Sequence, residues 1–258
     1  MSYQAHVTEE SYRYDGSYAG FLCCIFESFR CRELPAAILS PECGQTSLFG
    51  CRDIPTDPGR ARRVAAGIDR MGPYVRQRIT RGFLADSPDR EMILLRFARL
   101  CFERGPSAAA MLGDPDVQAA FRLERAVNGE AGKCLQFIRF EYKDGMYGAR
   151  IHPTHRVLPL LQRHFCERLG DEDFLIFDAT HAMALVRKDG SVQYLEMERY
   201  LPSAEEEERQ WQRLWKDFFG AVTIEERRNL RTQQTHVPRR WWKDMLEMQP
   251  DADSGQKI

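Results

Sequence analysis

Histidines and acids gather in the middle of the chain, where His152, His155, His164, Asp178 and His181 lie within one stretch. A His-x-x-His pair followed by an acid and a further His is a donor set that a water-activating metal can use, because imidazole and carboxylate both ligate such ions. Nothing in the periodicity makes these side chains converge, however. His152-Pro153 falls where a strand should end, and His164 falls between Leu161 and Phe165 on a helical stretch. No metal and no cofactor is therefore expected. The set retained for catalysis is His164, Arg168 and Asp178, which would pair a proton carrier with a phosphate clamp in a hydrolase or lyase.

A second chemistry is carried by cations interleaved with aromatic rings. Arg227, Arg228, Arg231, Arg239, Arg240, Trp241, Trp242 and Lys243 form the best such run. Arginine neutralises phosphates and an aromatic face stacks on a base, so this arm is the candidate nucleic-acid or partner contact. The plainer alternative is an arm lying on the core with its tryptophans buried and its arginines paired with acids. Both hold if a tryptophan anchors while the cations face outward. A further basic group, Arg60, Arg62, Arg63, Arg70, Arg76, Arg78 and Arg81, follows helical stretches and reads as a solvated face.

These residues need a scaffold, and the pattern supplies one. Leu135, Phe137, Phe140 and Tyr142 lead through Lys143-Asp144-Gly145 into Met146–Ile151, which reads as a β-hairpin. Leu158, Leu161, Phe165 and Leu169 recur at helical spacing over Thr154–Leu169. Strands are expected at Phe174–Phe177, Ala182–Val186 and Val192–Met197, with Lys188-Asp189-Gly190 as a second turn. The expected class is α+β, an antiparallel sheet with packed helices plus an N-terminal, inserted α-helical subdomain. Residues 1–11 read as a loose tail, 12–130 as mainly helical, 131–247 as sheet-centred with a C-terminal helix and the Arg/Trp arm, and 248–258 as a polar tail. Ser17 is the expected cap of a helix through Phe21, Ile25 and Phe29, and Gly72-Pro73 separates two later helices. Pro202–Glu208 opens a helix whose first turn carries Glu205–Glu208, and Trp211, Leu214, Trp215, Phe218 and Phe219 supply its apolar stripe.

The formal charge of −1 gives no whole-chain attraction to polyanions, so any such binding is local. The N-terminus is polar and no apolar run approaches the ~20 residues that span a bilayer, which points to a cytoplasmic protein without membrane contact. The eight cysteines lack a C-x2-C pair and are expected to be thiols. No G-x-S-x-G, phosphate-binding loop or dinucleotide fingerprint is present, and His152-Pro153-Thr154 lacks the upstream acidic loop that a uracil-DNA glycosylase needs.

Several blocks in order, among them YDGSYAGFLCCIFESF at 14–29, EMILLRFARL at 91–100, FIRFEY at 137–142, WKDFFGAVTIEERRN at 215–229 and VPRRWW at 237–242, resemble the bacterial "probable DNA metabolism protein" family over about residues 12–247. Two positions depart from that family's pattern: His181 stands where a basic residue is expected, and Gln136 where Gly is usual. The resemblance implies a DNA-repair or DNA-modification setting, a radical-SAM DNA repair or modification protein as partner, and DNA and a uracil-DNA glycosylase-like protein as further associates. The expected function is an accessory DNA-binding or partner-binding protein. Alternatives are an enzyme acting on modified nucleotides or DNA ends, and a structural adaptor without DNA contact.

Overall fold

Both Asp-Gly pairs turn the chain as their chemistry predicts in the computed structural model. Asp144 and Gly145 take φ of 51° and 80°, and Asp189 and Gly190 take 50° and 74°. Two successive positive φ values are the signature of tight hairpin turns whose twist matches the strands they join. The structure describes residues 6–41, 50–201, 206–223, 229, 231, 232, 234, 237 and 239–249. The chain divides into two compact units, residues 1–129 and 130–258.

The first unit begins with β1 (His6–Val7), β2 (Ser11–Arg13), α1 (Tyr18–Cys31), β3 (Glu33–Leu34), β4 (Ile38–Leu39) and β5 (Cys51–Asp53). It continues with α2 (Pro58–Arg70), α3 (Pro73–Gly82), α4 (Arg90–Arg104) and the start of α5 (Pro115–Phe137). Ser17 caps α1 by accepting from the Gly20 amide at 2.9 Å, and Asp57 caps α2 from the Arg60 amide. The helical part also carries a small sheet: β2 lies between β4 and β5, parallel to both. These strands are two or three residues long; Tyr12–Tyr14 reads from the sequence as a short strand and overlaps β2, whereas the others are too short for periodicity to reveal. Within the stretch expected to be a loose tail, His6–Val7 pairs with β3. The core gathers Phe21, Ile25, Ile68, Ile79, Leu94, Leu95 and Phe97. Charges buried beside it are matched: Tyr12 donates to Glu33 at 2.5 Å, Arg52 donates to Glu33 at 2.7 Å, and Tyr14 and Arg90 both donate to Glu91 at 2.8 Å.

The second unit holds β6 (Glu141–Lys143), β7 (Met146–Ile151), α6 (Leu158–Arg168), β8 (Phe174–Asp178), β9 (Met183–Lys188), β10 (Ser191–Glu196) and α7 (Glu206–Val222). Two short 3-10 helices follow at Arg239–Asp244 and Leu246–Met248. The sheet runs β10-β9-β8-β7-β6. The α+β class is therefore correct, and three of the four strand pairings are antiparallel. The exception is β7–β8, which is parallel with Ile151 opposite Asp178, because α6 carries the chain back across the sheet between them.

Two expected boundaries shift. Leu135 and Phe137 belong to α5 and not to a strand: Val127, Ala131 and Cys134 are buried at helical spacing, and that stripe outweighs the local aromatic content. The helix expected from Thr154 begins at Leu158, because Glu130 holds the Thr154 and His155 amides in the preceding loop. Leu158, Leu161 and Phe165 of α6 pack with Ile151, Phe174, Ile176 and Leu185 of the sheet, and Val237, Trp241 and Met245 join the same core. Among the described residues no helix is long and apolar enough to cross a membrane.

Candidate functional site

A parallel pair of strands presents its carboxyl ends together, and in sheets that contain such pairs those ends are where ligand groups collect. Here the register Ile151 opposite Asp178 brings the loop 152–157 and the loop 179–182 side by side. The Ala179 amide donates to the Ile151 carbonyl at 3.0 Å and ties them. His152 enters the first loop and Asp178 ends the second strand, so both owe their positions to that register.

Two carboxylate–imidazole pairs stand at this edge. Asp178, 1% exposed, accepts from the Thr180 and His181 amides at 3.0 and 3.1 Å and pairs with His181 Nδ1 at 2.6 Å. His152 Nδ1 lies 2.8 Å from Asp244 of the 3-10 helix Arg239–Asp244. Burial pushes the Asp244 carboxyl above the usual carboxylate range, against the pull of His152. Beneath them burial raises the Cys134 thiol, and the carboxylates of Glu130, Asp178 and Asp244 raise it further. That thiol is inert. The imidazoles and carboxylates engage pairwise, and among the described residues no group of three or more His, Cys, Asp or Glu is arranged to hold a metal.

On the other face of the sheet, side chains alternate outward from β7, and Gly148 and Arg150 line a cavity of about 200 Å³ with Asp244. Gly148 makes room for Tyr200 there: an added Cβ would collide with the Tyr200 hydroxyl and ring edge, and that side chain would have to move. Tyr200 donates to Glu141 at 2.6 Å, and burial together with that bond raises its pKa. The wall also carries Arg139, Glu208 and Lys243. Arg139 stacks on Trp215 at 4.4 Å.

The charge balance of the cavity decides its chemistry. All three of its carboxylates are engaged: Glu141 by Tyr200, Glu208 by Gln212 at 3.0 Å, and Asp244 by His152. The side chains of Arg150 and Lys243 have neither a hydrogen-bond nor an ion-pair partner among the described residues, and both are exposed. The lining sets three carboxylates against Arg139, Arg150 and Lys243, and the last two keep hydrogen-bond donors without an acceptor among the described residues, which suits a ligand that brings oxygen acceptors.

The residues picked from the sequence fall into two groups. His164 packs its ring edge-on against Phe165, its Nε2 buried without a partner, and Arg168 is exposed at the end of α6. No described hydrogen bond, ion pair or ring contact joins either to Asp178, whose carboxylate is taken by its own loop. In the arm, Trp241 is 4% exposed in the core, Trp242 donates to the Val237 carbonyl at 2.9 Å, and Arg239 lies over the Trp242 ring at 5.7 Å. Arg231, Arg239 and Lys243 are exposed. Arg227, Arg228 and the Arg240 side chain lie outside the described residues, as does Cys43; the seven other cysteines are free thiols. Sequence reasoning missed Arg139, Arg150, Tyr200 and Asp244. Alternation along Met146–Ile151 is a signal that could have turned Arg150 away from the core face, but nothing local joins it to residues 200 or 244.

A comparison with curated proteins finds no match to this chain. A family model described as a domain of unknown function (DUF4130) matches residues 88–247. That span covers more than half of the 258 residues and includes both ends of the β7–β8 edge together with the cations of the cavity, and the chain accordingly belongs to the DUF4130 family.

Proposed function

We propose that this protein is an accessory DNA-binding or partner-binding protein in DNA repair or modification, acting with a radical-SAM enzyme. The observation that carries the DNA reading is the pair Arg150 and Lys243, both exposed in the cavity with no hydrogen-bond or ion-pair partner among the described residues. Arg239 and Trp242 continue the same chemistry along the arm. The setting and the radical-SAM partner come from the family resemblance of the sequence. DNA affinity should fall steeply with salt, and Arg150→Ala with Lys243→Ala should lower the slope of log K against log salt by about 1 per residue. Binding that is absent, or whose slope the double variant leaves unchanged, rejects the reading.

A partner surface is supported by α7. Trp211, Leu214, Phe218 and Val222 recur at helical spacing, and each is more than half exposed. Replacing Leu214 and Phe218 with Ser should abolish co-purification of a co-expressed radical-SAM partner while leaving far-UV circular dichroism unchanged. Retained association would remove α7 from the interface.

A further inference from the structure

The first unit carries a groove that the reading above does not use. Phe26 and Phe29 of α1 and Phe102 of α4 form its apolar floor, and Arg30, Arg63 and Arg70 from α1 and α2 stand around it. Its volume is about 410 Å³, within the ~300–1,000 Å³ range of small-ligand sites. The floor is made of rings: Phe29 and Phe102 meet edge to face at 5.5 Å, and the guanidiniums of Arg60 and Arg63 lie 5.4 and 6.0 Å from the centroid of Phe26.

The cations again outnumber their partners. Arg30 is held by Glu27, and Arg60 lies 3.9 Å from the same carboxylate. Arg63 and Arg70 are exposed and have no acidic or hydrogen-bonding side-chain partner among the described residues. The three rings pack inward against the core of the unit, with Arg99 over Phe29 at 4.6 Å, and the sides they leave open border the groove between the arginines. An occupant matched to both features combines an apolar body with negative charge on more than one side.

We infer that this groove binds single-stranded nucleic acid, one base stacking against Phe26 and Phe29 while flanking phosphates meet Arg63 and Arg70. Aromatic rings with arginine along a cationic groove are how sequence-tolerant single-strand sites are built. A fatty acid has the apolar body but a single charge at one end, which leaves a distributed rim unmatched. The inference rests on the nucleic-acid reading proposed above, and adds to it a second contact of stated class.

The test uses the full chain and a fluorescent oligothymidylate titrated at several salt concentrations. Arg63→Ala with Arg70→Ala should weaken binding about tenfold and reduce the salt slope by about 0.7 per residue. Phe26→Leu, which keeps an apolar side chain and removes the ring face, should weaken binding about fivefold with the slope unchanged. If these variants bind as wild type while Arg150→Ala with Lys243→Ala binds more weakly, the groove inference falls and the cavity reading stands. If only the groove variants weaken binding, the groove stands and the cavity reading falls. Displacement of the oligonucleotide by decanoate at stoichiometric concentration, with equal loss of decanoate binding in Phe26→Leu, would assign the groove to acyl chains and overturn the inference.

Discussion

Glu27 shows how one side chain of the helical unit is kept ionised while 7% exposed. The hydrogen bond from Arg30 is the main reason its carboxyl sits below the ordinary 4.5, opposed by burial and helped by Cys31 and Arg52. A carboxyl whose folded pKa is depressed contributes stability that is full above its unfolded pKa and disappears as pH falls through the folded value. Glu27→Gln should therefore cost about 1 kcal/mol near neutral pH. In denaturant titrations the gap between wild type and variant should close as pH drops below 4.5. A gap independent of pH would mean that the charge of Glu27 contributes nothing.

The 3-10 helix Arg239–Asp244 places a buried anchor and an exposed cation within six residues. Trp241 is sunk in the core with Val237 and Met245, whereas Arg239 is solvent-facing over Trp242. Trp241→Ala should destabilise the sheet-centred unit by about 3–5 kcal/mol. Arg239→Ala should change stability by no more than about 0.5 kcal/mol and, under the proposed DNA-binding role, weaken DNA binding. Chemical denaturation and a binding titration on the same two variants distinguish these effects. If Arg239→Ala unfolds the protein, or Trp241→Ala does not destabilise it, the division of labour is wrong.

Two separate hydrophobic clusters, one per unit, bear on how the molecule as a whole unfolds. All four tryptophans, Trp211, Trp215, Trp241 and Trp242, lie in the second unit, so their fluorescence reports on that unit. Phe97 is fully buried in the first core, and Phe97→Ala should cost that unit about 3–5 kcal/mol. The circular-dichroism midpoint in urea should then fall while the tryptophan midpoint stays near the wild-type value. Coincident shifts would show that the units unfold as one. A net charge of −1 also means that polyanion binding must come from local groups, so it should weaken with salt from those groups alone.

The sequence by itself determined what local rules can carry. The Asp-Gly turns, the Ser17 cap, the Gly72-Pro73 break and the burial stripe of α6 depend on neighbours a few residues apart, where steric and hydrogen-bonding preferences act directly. Trp241 as anchor beside an exposed Arg239 was likewise one of the arrangements the sequence allowed. The parallel β7–β8 pairing, the short strands of the first unit and the continuation of α5 to Phe137 were decided by tertiary packing, which overrides the weak preferences of short segments. The candidate sites belong to the same category. Asp244 meets His152 across 92 positions, and Arg150 and Lys243 reach the same cavity from separate elements. Only the folded chain sets those distances, because hydrogen bonds and charge pairing act through space and not along the sequence.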